Sequence, residues 1–286
     1  MTTTVPASMT TPASTAASTG PAAAGTFPAG ERGTLWYPAS GCDDKCRDGD
    51  FRRSGPVTTV VRLTGLVAVL LGGLLLTPLL RGVALRAMAR GILAVLGVRT
   101  VWRGPEPRPG SLLVANHVSW LDVVAMAAIL PVRMVAKHEV RAWAGIGRAA
   151  VHAGTIFIDR TRPRALPETV AEVAGALRAG STIAIFPEGT TYCGPEQGRF
   201  RSALFQAAID AGAPVVPVSI GYDSTEASFV GADTLGASVL RVARVRRLTL
   251  TMVAAPALRP DPGADRRVLA RAAQASRAGG GYHLAA

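Results

Sequence analysis

Lysine is nearly missing from this chain of 286 residues: Lys45 and Lys137 are the only two, so almost all of the 31 basic residues are arginine. Against 19 acidic residues they leave a formal net charge of +12. Charge of that sign suits anionic partners such as lipid headgroups, phosphorylated small molecules or nucleic acid. Aromatic side chains are also scarce, at 5%. The arginines are dispersed rather than interleaved with rings, which argues against a stacking platform for nucleic acid. Three cysteines cannot close a disulfide framework, and nothing demands an oxidising compartment. Cys42 and Cys46 have a loose metal-like spacing, but no second Cys or His pair follows, so they read as a solvated pair in a flexible tail. Cys193 reads as a neighbour of the motif it follows. None of the four histidines stands in a ligand-like pair, so no metal site is expected. No G-x-S-x-G occurs, which removes the nucleophile elbow. Gly145-Ile-Gly147 lacks both a preceding strand and a later glycine, so the dinucleotide fingerprint fails too.

Residues 1 to about 55 are rich in Thr, Ala, Ser, Pro and Gly, a composition that cannot bury enough apolar area to offset chain entropy. They are expected to be a disordered tail. Their first residues carry no positive side chain and no apolar run follows, so they do not read as an ordinary signal peptide. Leu63 to Leu80 then runs without a charge between Arg62 and Arg81. As a helix this stretch reaches about 27 Å, close to the hydrocarbon thickness of a bilayer. It is expected to insert, spanning or re-entrant, although Gly72, Gly73 and Pro78 also suit a buried core helix. The following segment places Arg86 and Arg90 four apart on one face, as in a helix lying in the interface with its arginines toward headgroups; an amphipathic helix packed on the domain would look the same. Residues 56–99 are thus expected to be an anchor.

From about residue 100 to 259 the pattern is that of an α/β domain. Buried strands are predicted at Ser111–Ala115, Arg133–Ala136, Thr155–Ile158, Thr182–Phe186, Val215–Ile220 and Leu248–Val253. Helices are predicted at Val123–Leu130, Val140–Ala149, Pro167–Ala179 and Phe200–Ala211. Alternation of this kind implies a mostly parallel sheet flanked by helices. The Arg- and Ala-rich tail, residues 260–286, is expected to be weakly structured.

Three strand ends carry chemistry. His117 and Asp122 are five residues apart, which on a continuous helix would point them about 140° away from each other. Both lie in the turn between a strand and a helix, where Asp122 can fold back onto one imidazole nitrogen and leave the other facing a substrate. A turn histidine with a capping aspartate is the plainer reading. A second strand ends in Asp159-Arg160, whose guanidinium is a natural phosphate partner. A third ends in Pro187-Glu188-Gly189-Thr190, with a glycine for close backbone approach and a hydroxyl to help hold an anion. In a parallel sheet all three share one edge.

In order and interval, NHVSWLD, GTIFIDR, FPEGTT and VVPVSI resemble the four sequence blocks of the glycerolipid acyltransferases typified by bacterial 1-acylglycerol-3-phosphate acyltransferase. The resemblance covers about residues 100 to 225. It implies that His117 is the general base and Asp122 its orienting partner. It implies that Arg160, Glu188, Gly189 and Thr190 bind the phosphate-bearing head of the acceptor, and that Pro217 shapes the site for the acyl donor. The family often continues its third block with Arg-Ser, whereas Thr191 and Tyr192 stand here; Arg199 and Arg201 can supply the missing charge.

The reaction so implied moves a fatty acyl group from acyl-CoA or an acyl-carrier protein to a lysophospholipid hydroxyl, with no further cofactor and no metal. 1-Acylglycerol-3-phosphate giving phosphatidic acid is the first expectation, and lyso-ornithine lipid is an alternative acceptor. A catalytically silent binder of anionic lipid is the alternative of another class. The expected place is the cell membrane, with the catalytic domain on the cytoplasmic side where thioester donors are made.

Overall fold

Short runs rich in valine, isoleucine and leucine can be buried on both sides only if helices cover both faces of the sheet they form. The computed structural model, which describes residues 38–278 less 48, 50 and 144, has this arrangement. Seven strands, β1 (Val98–Arg103), β2 (Leu112–Ala115), β3 (Val132–Lys137), β4 (Ile156–Ile158), β5 (Thr182–Ile185), β6 (Val215–Tyr222) and β7 (Leu248–Ala254), stand in the order β1-β7-β6-β2-β5-β3-β4. All neighbours are parallel except β6 and β7. Six of the strands coincide with predicted runs; β1 was not predicted, because the arginines of VRTVWR interrupt its apolar character.

The helices are α1 (Pro56–Leu96), α2 (Trp120–Ile129), α3 (Ile146–His152), α4 (Leu166–Arg178), α5 (Phe205–Ala211), α6 (Leu235–Arg244) and α7 (Arg266–Ala278). Alternation along the strands divides the core in two. Leu113, Ala115, Ala184, Val216 and Val218 face the layer of α1, α2 and α6, whereas Leu112, Val114, Ile183, Ile185 and Val215 face α4, α5 and α7. Leu112 and Leu113 are wholly buried on opposite faces; truncating either to alanine is expected to cost about 2–5 kcal/mol.

Four expectations need correction. The helix predicted at Val140–Ala149 is broken into a 3-10 turn, His138–Ala142, and α3. Gly145 between them takes a positive φ of 72°, outside the helical region. The helix predicted from Phe200 begins only at Phe205, because Phe200 and Arg201 bond instead to Gln274 and to the Pro187 carbonyl. Residues 38–55 are not a free tail: Arg53 bridges Val245 and the Ser54 N–H donates to the Arg244 carbonyl; residues 1–37 lie outside the described ones. Residues 260–278 are not weakly structured either, since α7 packs on β6 and buries Leu269, Ala270 and Ala273; residues 279–286 lie outside the described ones. Local composition could not foresee these ties, which are all made to distant parts of the chain.

The expected anchor, α1, is one helical run that folds back on itself. A Cβ added to Gly65 would lie 3.3 Å from Val95, and one on Gly91 would lie 2.9 Å from Val69. Partners 30 and 22 residues apart cannot meet along a straight helix, which would separate them by about 45 and about 33 Å at 1.5 Å per residue. The first limb, Pro56–Leu76, is long and apolar enough to cross a membrane, with a mean hydropathy of 2.1. Small residues at the crossing let the limbs approach closely. At the base, Arg62 donates to the carbonyls of Ala243, Val245 and Arg246. Arg90 does not reach outward as expected; it donates to the Ala128 carbonyl at 2.9 Å. That carbonyl is among the unpaired acceptors at the end of α2, where positive charge is favoured.

Candidate active site

His117 follows β2 directly, and the backbone turns at Val118–Ser119 before α2 begins. Ser119 caps that helix, accepting from the Leu121 N–H, while Asp122 in the first turn reaches back to the Ser119 N–H at 2.9 Å. The same carboxylate oxygen, Oδ2, accepts from the Val118 N–H at 2.7 Å and lies 2.9 Å from Nδ1 of His117. Oδ1 accepts from the Tyr222 hydroxyl. Asp122 is therefore at once a helix cap and the partner of an imidazole nitrogen. With both backbone N–H groups already aimed at Oδ2, Nδ1 is the protonated ring nitrogen and Nε2 carries the lone pair. Asp122 is wholly buried, whereas the His117 side chain is 20% exposed. Among the described residues, Nε2 has no hydrogen-bond partner.

Further residues hold this pair. Asn116 continues the β2–β6 pairing with its side chain, donating to the Ile220 carbonyl and accepting from the Ile220 N–H. Phe186 stacks on the His117 ring, with centroids 4.1 Å apart. Tyr222, at the end of β6, has its hydroxyl pKa raised well above the ordinary value, first by burial and then by the Asp122 charge. It stays a donor. Neither Phe186 nor Tyr222 was singled out from sequence; the register of β5 and β6 against β2 puts them here.

The third strand end is built differently from the expectation. Glu188 faces inward, its side chain wholly buried. One oxygen accepts from the His117 N–H at 2.8 Å and the other from the Gly198 N–H at 3.1 Å, with Arg277 of α7 at 3.9 Å. Burial pushes its pKa up, opposed by these N–H groups and by the Arg277 charge; burial in turn lowers that of Arg277. Glu188 therefore supports the His117 backbone rather than facing an acceptor headgroup. Gly189 has φ of 78°, and a Cβ there would meet the Pro38 ring at 2.8 Å. Gly189 and Thr190 are half-buried and remain at the rim, with Arg199 and Arg201 exposed beside them.

Arg160 follows β4, which is parallel to β2 and three places away in the sheet, about 14 Å at strand spacing. It stands on the same edge as His117, half-buried. Asp159 turns away to its own loop, accepting from Thr161 and Arg162, which hold its carboxyl well below the usual range. Pro217 is not at the rim. It is buried within β6, opposite Val114 of β2, and its carbonyl accepts from the Ala255 N–H.

Comparison with known proteins agrees with this architecture. A family model described as Acyltransferase matches residues 99–221. The 1-acyl-sn-glycerol-3-phosphate acyltransferase of Neisseria meningitidis is 40% identical over 50% of this chain, which spans 56% of that relative's length. The lyso-ornithine lipid O-acyltransferase of Pseudomonas aeruginosa is 36% identical over 74% of this chain and 88% of its own. The crystal structure of the 1-acyl-sn-glycerophosphate (LPA) acyltransferase of Thermotoga maritima superposes with a TM-score of 0.60 at 19% identity, covering 78% of this chain and 93% of that one, and so shares the fold. With the matched domain and a relative aligned over most of its length, the chain belongs to the acyltransferase family.

Proposed function

We propose that the chain is a membrane-associated O-acyltransferase that transfers a fatty acyl group from acyl-CoA or an acyl-carrier protein to the hydroxyl of a lysophospholipid. One observation carries the reading: an imidazole held by a buried carboxylate at 2.9 Å, with its other nitrogen at an accessible sheet edge. Nε2 of His117 takes the proton of the acceptor hydroxyl as that oxygen attacks the thioester carbonyl. The tetrahedral intermediate collapses by breaking the carbon–sulfur bond, and the leaving thiolate takes the proton back from the imidazolium. Asp122 fixes the tautomer beforehand and stabilises the imidazolium during the step. No protein nucleophile takes part.

The acceptor proposed first is 1-acylglycerol-3-phosphate. Arg160 on the same edge and the exposed Arg199 and Arg201 beside Gly189 supply cationic groups suited to a phosphate monoester. Lyso-ornithine lipid is the second reading, favoured by a relative of which this chain covers 88% at 36% identity. The re-entrant shape of α1 supports residence in one leaflet, since both limbs return to the domain and the apolar Leu71, Leu75, Leu76 and Val83 stand exposed beyond it. A cytoplasmic face follows from where thioester donors are made.

The test is transfer from labelled acyl-CoA, and in parallel acyl-carrier protein, to a panel of lyso-lipids in vesicles. Ester formation on 1-acylglycerol-3-phosphate is expected. Preference for lyso-ornithine lipid would move the acceptor, and binding without turnover on every acceptor would leave a silent lipid binder.

A further inference from the structure

Cys42 and Cys46, read from sequence as a solvated pair, and Cys193, read as a neighbour of the motif it follows, meet in space. The sulfurs of Cys42, Cys46 and Cys193 lie within 4.8 Å of one another. All are free thiols, Cys42 and Cys193 buried and Cys46 partly so. The approach of Cys42 and Cys46 has a local cause. Asp43 caps a single 3-10 turn, Asp44–Cys46, by accepting from the Lys45 N–H, and the Cys46 N–H closes it on the Asp43 carbonyl. The turn carries the second sulfur back toward the first. Cys193 arrives from the far side, five residues after Glu188, and its N–H donates to Cys42 Sγ at 3.4 Å.

Little else explains why residues 38–47 lie here. Apart from that one turn they have no regular structure, and among the described residues the apolar cluster they join comprises Cys42, Cys193 and Val230 with Cys46 and Tyr192 against it. Burial of so few side chains yields only about 1.5–3 kcal/mol for each larger one, while ordering each backbone residue costs about 1–2 kcal/mol. The Arg47–Asp233 ion pair at 3.4 Å adds a single tie. Yet the approach is close: a Cβ on Gly231 would lie 3.3 Å from the Asp43 Cα.

We propose that Cys42, Cys46 and Cys193 bind a thiophilic divalent cation, zinc in the first instance, which clasps residues 38–47 onto the loop that follows β5. Three thiolates at these positions suit a tetrahedral ion, whose fourth place is left to water on the partly exposed Cys46 side. Binding converts three thiols to thiolates and releases three protons to solvent, with no redox change. The clasp sits beside Pro38, which covers Gly189, so the ion acts on the rim of the active site without touching the reacting atoms. The site stands on its own geometry, whatever the acceptor.

The test uses the full chain purified under reducing conditions, incubated with zinc, freed of excess metal, and measured for zinc per chain. Cobalt substitution follows. About one zinc per chain is expected, with sulfur-to-cobalt charge-transfer absorption in the near ultraviolet and intense visible bands of a tetrahedral ion. Cys42→Ser, Cys46→Ser and Cys193→Ser should each lose most of the metal, with far-ultraviolet circular dichroism unchanged. Only trace zinc in the wild-type chain, or a Cys42–Cys193 disulfide in protein as isolated, would overturn the proposal. So would full metal content in all three variants. Acyl transfer is not a readout, so failure of the catalytic reading would leave this result standing.

Discussion

Asp122→Asn separates the two jobs of one carboxylate. In the variant, the amide oxygen can take the place of Oδ2 and go on accepting from the Val118 and Ser119 N–H groups and from Nδ1 of His117. The amide nitrogen then faces the Tyr222 hydroxyl, which can rotate from donor to acceptor. The cap survives and the charge is gone. Three charge-assisted bonds become ordinary ones, partly offset by the smaller desolvation cost of a neutral group, so about 1–3 kcal/mol of stability should be lost. For the chemistry, an opposite unit charge about 4 Å away stabilises the imidazolium by about 1–4 kcal/mol, so kcat should fall about 10- to 1,000-fold. The assay is the initial rate of thiol release from acyl-CoA with lyso-lipid in vesicles, alongside thermal unfolding of the same preparations. Tyr222→Phe is the companion, since it removes the donor to Oδ1 and leaves Oδ2 and its charge in place; its rate should fall less than about tenfold. A rate for Asp122→Asn within about twofold of wild type would reduce Asp122 to a helix cap and refute the catalytic pairing.

His117→Ala should lower turnover at least about 100-fold while leaving sedimentation with vesicles unchanged, and near-normal turnover would remove His117 from the mechanism. Arg160→Ala should raise KM for a phosphate-bearing acceptor about tenfold or more with little change in kcat, read from acceptor titrations, and an unchanged KM would take Arg160 out of acceptor binding. Glu188→Gln turns an NH₂ group toward either the His117 or the Gly198 N–H and should cost about 1–3 kcal/mol at neutral pH. Because burial raises the Glu188 pKa above its unfolded value, its own contribution to stability is fullest below the ordinary carboxylate range and shrinks as pH rises through the raised value. Thermal unfolding from pH 4 to 7 should therefore show the wild-type advantage over Glu188→Gln narrowing as pH rises; a widening gap would refute the sign. Leu75→Arg with Val83→Arg, both at exposed positions on the hairpin, should move the chain from vesicles to the supernatant, and unchanged sedimentation would place membrane contact elsewhere.

How much was legible beforehand follows the range of the forces involved. β2 and β5, buried on both faces, read as uninterrupted apolar runs, and the His117 turn carried its own cap signal in Ser119 and Asp122, three residues apart. Those features depend on neighbours in sequence. The direction of Glu188 does not: its partners are Gly198 and Arg277, and nothing local distinguishes an inward carboxylate from one offered to a headgroup. Arg90 failed for the same reason, since its acceptor belongs to α2. The fold-back of α1 left one trace, the small residues Gly65 and Gly91 in otherwise bulky stretches, which could have signalled a close helix crossing. Of the cysteine cluster, the spacing of Cys42 and Cys46 was visible and the arrival of Cys193 left no trace.

Several other long-range ties share one target, the irregular stretch between β5 and α5. From one side Pro38 covers Gly189, the Cys193 N–H bonds to Cys42, and Thr191 donates to the Phe229 carbonyl. From the other, α7 sends Gln274 to Phe200 and Gly198 and brings Arg277 toward Glu188, with its guanidinium over the Phe200 ring at 5.2 Å. An irregular loop has no ladder of its own to fix it, so its shape is set by whatever presses on it. The contact between His117 and Asp122, by contrast, is made within one turn of chain. Differences among relatives in the segments before α1 and after β7 should then alter which acceptor is accepted without altering the chemistry, because those segments touch the rim and leave the imidazole alone. On the proposed reading, with Glu188 engaged inside, recognition at this rim would fall to Gly189, Thr190 and the exposed Arg199 and Arg201.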